Sequence, residues 1–375
     1  MLLMLLLIFL PVIVQPLQAI LDGRVTPIFL DTNYGFSNFE WARGEVHFLQ
    51  GFTVPPNTTA ILGLTAPVLG ANLNLDNGGD ASNQATILLE TPLTLHVPVF
   101  TGGVRIGSID GSEGKINLIA PAGGASASID WAISDQITFI TDMAIDFGTL
   151  YANFSGGSSG PLLRPSLFIN ASTPKKLRLM NGTLFVDGAG TNNVLPRIIA
   201  GDVSGGRHQL LLEDMTLRFV STSITFTNLD IVSSKGINIF SGSPDAQVNF
   251  YSGLKICNES TLVGPLGLSY SLTPSIVSND YFQIEPRGTL LLNNNTLSFN
   301  RPLRLPYAPG LKNTYPRIVV SGTSTLRGIG IGTNNTVQLG IGVNSTYTSD
   351  GIIDIQNGGT LILDNVALVN KNVRF

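Results

Sequence analysis

The chain has 375 residues, with 25 Asp or Glu against 21 Lys or Arg, for a formal charge of −4. Only 12% of residues are charged and 43% are hydrophobic, enough apolar surface for a large core and too little charge for a disordered chain. The missing basic excess excludes nucleic acid as a partner held through its phosphates. A disulfide scaffold is excluded by the single cysteine, Cys257.

Residues 1–14 carry no polar side chain. The run is shorter than the roughly 20 residues that cross a bilayer as a helix, and it fits the apolar part of a secretory signal ending at Ala19. The expected layout is a signal at 1–19, a β-rich segment at 20–154 holding early coils and a cap, a Gly/Ser linker or loop at 155–161, and coils at 162–375 with no evident C-terminal cap. The mature protein is therefore expected outside the cytoplasm, secreted or on the cell surface.

Beyond residue 20 helical periodicity is nearly absent. Short doublets of the form apolar, any, apolar recur instead, each followed by Gly, Asn, Asp or Pro. These are the two core-facing positions of a short strand. Leu177/Leu179, Ile224/Phe226, Val248/Phe250 and Leu254/Ile256 are examples. Spacing in the last third suggests a repeat: Leu297, Ile318, Ile341 and Val366 head doublets 21, 23 and 25 residues apart. Gly288-Thr-Leu-Leu-Leu-Asn-Asn and Gly359-Thr-Leu-Ile-Leu-Asp-Asn are copies of one pattern 71 residues apart, and Gln209-Leu-Leu-Leu-Glu-Asp is a further copy at an irregular offset. Repeats of this length without helices predict an all-β solenoid: a single elongated parallel β-helix with coils of about 21–25 residues. Leu297, Ile318, Ile341 and Val366 would then form one inward stack. Asn192, Asn193, Asn293, Asn294, Asn295, Asn334 and Asn335 are candidates for corner ladders, because Asn tolerates the left-handed backbone of tight corners.

The Gly-Thr-Leu-x-Leu-Asp/Asn-Asn pattern at 288–294 and 359–365 resembles the right-handed parallel β-helix superfamily of secreted proteins, which includes pectin-lyase-like folds and autotransporter passengers. The resemblance implies the fold and no particular activity. Members that hydrolyse polygalacturonate use Asn-x-Asp, Asp-Asp, Gly-His-Gly and Arg-x-Lys groups. Here Asn228-Leu-Asp230 matches the first alone, and His208 precedes it in the wrong order. Lyase-like members gather carboxylates near a basic residue. Asp187, Glu213, Asp214 and Asp230, with Arg218, are the residues that could do so here.

The remaining motifs point to no chemistry. Gly156, Ser158 and Gly160 have the spacing of a hydrolase elbow, but the surrounding Gly/Ser run and Pro161 deny the strand and helix that the motif needs. His47, His96 and His208 are too dispersed for a zinc site, and Asp76 to Asp80 lacks the calcium-loop spacing. No cofactor and no metal are expected. The sequence is read as a secreted or surface β-solenoid with a structural, adhesive or binding role and no catalysis, its partner a carbohydrate or cell-surface ligand. A polysaccharide-active β-helix enzyme, lyase or hydrolase, is the alternative, and an outer-membrane β-barrel a weaker one. The last repeat, with Leu361, Leu363, Val366 and Leu368, is followed by five residues after Asn370 and should leave an uncapped edge open to self-association.

Overall fold

A computed structural model describes the strands between 19 and 108, and beyond them 111–119, 129–130, 132–133, 136–147, 151–153, 166–169, 173–186, 197–201, 206–219, 223–242, 247–250, 253–257, 259–264, 267–270, 282–306, 315–330, 335–339, 351–356 and 358–369, with most side chains described from 106 onwards. The signal segment before Ala19, the linker at 155–161, Asp187, Asn192, Asn193, Asn334 and Ile341 lie outside the described residues.

All regular structure among the described residues is β-strand, and every pairing is parallel. This is not the antiparallel pairing from which outer-membrane barrels are built. The pairing runs across the 155–161 segment, since Gln136–Phe139 pairs with Ser166–Ile169. The residues before and after it therefore share one sheet.

The later strands fall into three ladders visited in fixed order. Phe282–Ile284 lies in the first, Thr289–Asn293 in the second and Thr296–Phe299 in the third. Leu303–Leu305, Arg317–Ser321 and Thr323–Gly328 make the next round, each paired with its counterpart one round earlier. Parallel pairing in register puts like position over like position at about 4.8 Å per round. On the first ladder this stacks Gly114, Met143, Leu177, Leu210, Ile231, Leu254, Phe282, Leu303, Val337 and Leu368 in one column. From Met143 to Val337 these side chains are buried. On the third ladder Phe226 stacks on Phe250, ring centroids 5.7 Å apart, and Phe240 of the second ladder packs 5.9 Å from Phe250.

The expected period of 21–25 residues is corrected. Steps along the third ladder, from Ile224 through Val248, Leu268, Leu297 and Leu326 to Leu363, are 24, 20, 29, 29 and 37 residues. Loops between ladders absorb the difference, so a fixed spacing picks the wrong partners. Leu297 neighbours Leu268 and Leu326, whereas Ile318 neighbours Leu290 and Ile353. The predicted stack of Leu297, Ile318 and Val366 does not form.

The repeated motif is a corner unit, not a mark of one place in the round. Leu210/Leu212 lie on the first ladder, Leu290/Leu292 on the second and Leu361/Leu363 on the third. In each copy the residue two after the second leucine has a left-handed backbone: Asp214 (φ 51°), Asn294 (φ 55°) and Asn365 (φ 55°). Leu177/Leu179 followed by Asn181 (φ 59°) is a fourth copy. The corner between the first and second ladders is turned by positive-φ residues in five successive rounds: Asn181, Asp214, Gly236, Glu259 and Arg287. Short polar side chains suit this because they tolerate left-handed φ and still reach a neighbouring strand. Asp214 Oδ1 accepts from Ile237 N–H at 3.0 Å, and Asn294 Oδ1 from Thr323 N–H at 2.9 Å. At 293–295 the expected Asn ladder between coils is not seen: Asn294 ties to the Thr323 backbone and donates to Asn293 beside it, and the buried Asn295 amide has no hydrogen-bond partner among the described residues.

Two substitutions test this architecture. Ile318→Asp would bury an unpaired carboxylate and should abolish cooperative melting, whereas Val319→Asp, facing outward one residue later, should stay within about 0.5 kcal/mol of the parent. Equal losses would mean that the two positions do not differ as inward and outward, and a larger loss in Val319→Asp that the assignments are reversed. Gly236→Ala should cost at least about 1–2 kcal/mol by denaturant melt, because φ is +65° and the new Cβ would lie 1.9 Å from Asp214 Oδ1.

Candidate functional site

Of the four acidic residues singled out by sequence, Glu213, Asp214 and Asp230 are described, and each is tied to a neighbouring round. Asp230 Oδ1 accepts the Gly253 N–H at 2.7 Å and lies 3.4 Å from Arg207 Nη1. Asp214 caps the Ile237 N–H from its corner. Glu213 lies 3.4 Å from Arg178, which reaches the other way to Glu113 at 3.0 Å. The register neighbour of Asp230 is Gln209, four residues from Glu213 and so about 13 Å away along the strand. Two-carboxylate glycoside hydrolysis works at about 5–9.5 Å. The fold does not bring Glu213 and Asp230 together. Among the described residues no group of three His, Cys, Asp or Glu is placed to hold a metal ion.

The same tie recurs along the chain, and the sequence reading missed it. Asp142 Oδ1 accepts the Lys176 N–H at 3.0 Å, and Asp146 joins Lys115 at 3.3 Å and Asn181 at 2.9 Å. Glu285 pairs with Lys255, Glu259 with Arg287, and Asp364 with Arg327 at 2.7 Å. Each partner sits in a different round. The signal that could have found them is an Asp beside a corner or a strand start, where a backbone N–H across the gap wants an acceptor.

Burial mutes His208 and Cys257. His208 is fully buried and its Nδ1 accepts the Lys175 N–H at 3.0 Å. The neutral ring must then carry its proton on Nε2, which has no partner. Burial, foremost, holds its pKa below the ordinary 6.5. Burial, with the Glu285 charge beside it, pushes the Cys257 thiol up to about 11, so at neutral pH it stays protonated and a poor nucleophile.

The outward faces differ from one another. The first ladder has Lys115, Ala144, Arg178, Leu211, Val232, Lys255, Gln283, Arg304 and Gln338 at one register position, of which Ala144 and Val232 are buried. The second presents Ile239, Val263, Leu291 and Val319. The third carries Thr225, Asn249 and Ser298 before the Arg327–Asp364 pair, in a register that also runs through residue 269, with Thr296 and Thr325 alongside. No protein-family model, curated protein or solved structure matches the chain.

His208 yields a pH prediction. Its folded pKa is depressed, so as pH falls below about 6.5 the unfolded chain takes up a proton that the folded chain refuses, and stability should drop toward acid. The melting temperature measured from pH 8 to pH 5 should slope less in His208→Leu than in the parent. Identical slopes would show that His208 is not the titrating group.

Proposed function

We propose that the chain is a parallel β-helix of the secreted kind, whose coils close around the buried leucine and phenylalanine columns, and that it works as a surface scaffold that binds a repetitive carbohydrate and does not cleave it. The observation that carries this reading is the third ladder. Thr225, Asn249 and Ser298 on its outward face are uncharged hydroxyl or amide side chains at one register position, which also runs through residue 269, and parallel pairing repeats that position at about 4.8 Å. A polysaccharide lying along such a row finds donors and acceptors at regular intervals and loses little affinity to desolvated charge.

The occupied carboxylates support the same reading, since Glu213, Asp214 and Asp230 each already hold a backbone N–H or an arginine. The apolar run before Ala19 supports export, in keeping with the resemblance to pectin-lyase-like and autotransporter-passenger chains. A catalytic version would need an acid and a base freed from those ties.

Pull-down on insoluble and immobilised polysaccharides should retain the purified protein, and Asn249→Lys with Ser298→Lys should lose retention while keeping the parent melting temperature. Release of new reducing or unsaturated ends, lost in Glu213→Gln, would overturn the scaffold reading in favour of an enzyme. Protein recovered outside the cytoplasm should begin near Ile20. An intact Met1 confined to the cytosolic fraction would overturn export.

A further inference from the structure

The outward row of the third ladder has a second column beside it. Alternate residues of a strand face the same way about 7 Å apart, so next to Thr225, Asn249 and Ser298 the ladder turns Gln247, Thr296 and Thr325 outward. Thr225 and Gln247 are exposed and the other four are half-buried. Gly267 leaves the second column bare for one round. The first column stays uncharged until it reaches Arg327 and then Asp364, which pair with each other at 2.7 Å. Pairing from Ser223 to Gly328 slips nowhere, whereas His208–Phe219 and Leu229–Gly242 slip twice.

The two columns make a grid, about 4.8 Å from round to round and about 7 Å across. A ligand that uses it must repeat at the round spacing, carry hydroxyl or amide groups on both edges, and bring no charge that the grid would leave unpaired. A β-1,4-linked polysaccharide meets all three demands. Its linkage joins equatorial bonds on opposite sides of each ring. The chain is thereby extended into a flat ribbon that advances by nearly the distance between rounds, about 4.8 Å, per sugar. Its hydroxyls lie along both edges of the ribbon, one edge for each column. An α-1,4 link instead coils the chain and lifts successive sugars off the grid. A uronate or sulfated ribbon needs cations, and the basic residue on these columns, Arg327, is held by Asp364.

We infer that the third ladder binds a neutral, extended β-1,4-linked polysaccharide, of the glucan or chitin kind, with its chain along the stacking direction and one sugar to each round from Thr225 to Ser298. The inference rests on the carbohydrate-binding reading and narrows it. The register from Thr225 through Asn249 and residue 269 to Ser298 spans four rounds, so the row should hold four sugars. A fifth would lie over the Arg327–Asp364 pair, where its hydroxyls must compete with a charge-assisted hydrogen bond already made. It should add little.

Calorimetric titration of the full chain with cello- and chito-oligosaccharides of two to six sugars is the test. In at least one of the two series affinity should rise several-fold with each sugar up to four and then level off. Malto-oligosaccharides of the same lengths should bind several-fold more weakly. Arg327→Gln/Asp364→Asn should keep the parent melt, because both side chains are about half exposed. It should also move the plateau from four sugars to six, tightening the hexamer several-fold and leaving the tetramer unchanged. Equal affinity for the malto series, or tighter binding of uronate chains, would overturn the neutral β-1,4 assignment, and continued retention on insoluble polysaccharide would then leave the carbohydrate scaffold standing. A plateau at another length, or one that stays at four in the double variant, would overturn the placement of one sugar per round. No retention on any polysaccharide would overturn the scaffold reading and this inference together.

Discussion

Parallel backbone pairing, one round upon the next, is the constraint from which the other features follow. It fixes the rise between rounds at about 4.8 Å, and so decides that a side chain's closest neighbours are its own counterparts above and below. Inward, like upon like is favourable: leucine on leucine and ring on ring, as at Phe226 and Phe250. Outward, like upon like is costly for charge, because equal charges at that spacing repel. The chain answers by setting uncharged residues between like charges, Ala144 between Lys115 and Arg178 and Gln283 between Lys255 and Arg304, and by ion pairs across rounds, as Arg178 with Glu113 and Glu213. Exposed pairs of this kind contribute only about 0–1 kcal/mol each. Their main effect is on register, since a slip by one residue would turn every leucine column outward.

Much of the strand content was legible in the sequence. The doublets Ile224/Phe226, Val248/Phe250 and Leu254/Ile256 are strands with both named residues buried. The ladder partners were not legible. Loops between ladders carry no periodic signal and vary in length, so the step from Leu297 to Leu326 is 29 residues while that from Leu326 to Leu363 is 37. The internal sequence match misled for a physical reason. Turning a corner makes the same local demand wherever the corner lies, so Leu210, Leu290 and Leu361 head similar sequences on three different ladders. Local chemistry repeats more faithfully than position.

The acidic residues illustrate the other limit. A carboxylate that catalyses and one that caps a neighbouring N–H look alike in sequence. What separates them is the atom across the gap, which depends on register. Asp230 faces the Gly253 N–H because Ile231 pairs with Leu254. That partner, 23 residues away, becomes visible only once the ladder is known.

One corner shows how far the rule extends. Pairing between His208–Phe219 and Leu229–Gly242 slips between Leu212 and Glu213 and again before Thr216, so Leu229–Gly242 carries two extra residues and the Met215 N–H loses its ladder partner. Asn238, fully buried, supplies the acceptor at 3.0 Å. Its amide nitrogen is held in turn by Ser233 Oγ at 2.9 Å and the Lys235 carbonyl at 3.0 Å, with Ser260 hydrogen-bonded to Ser233 beside it. A buried polar cluster that could pass for a binding site is therefore a repair of the backbone, made where leaving an N–H unpaired would cost about 1–3 kcal/mol. Asp142, Asp214, Asp230 and Asn294 do the same on the outside. Polar side chains committed to the ladder cannot also be committed to a ligand, which directs recognition to the groups the ladder leaves over, the outward rows.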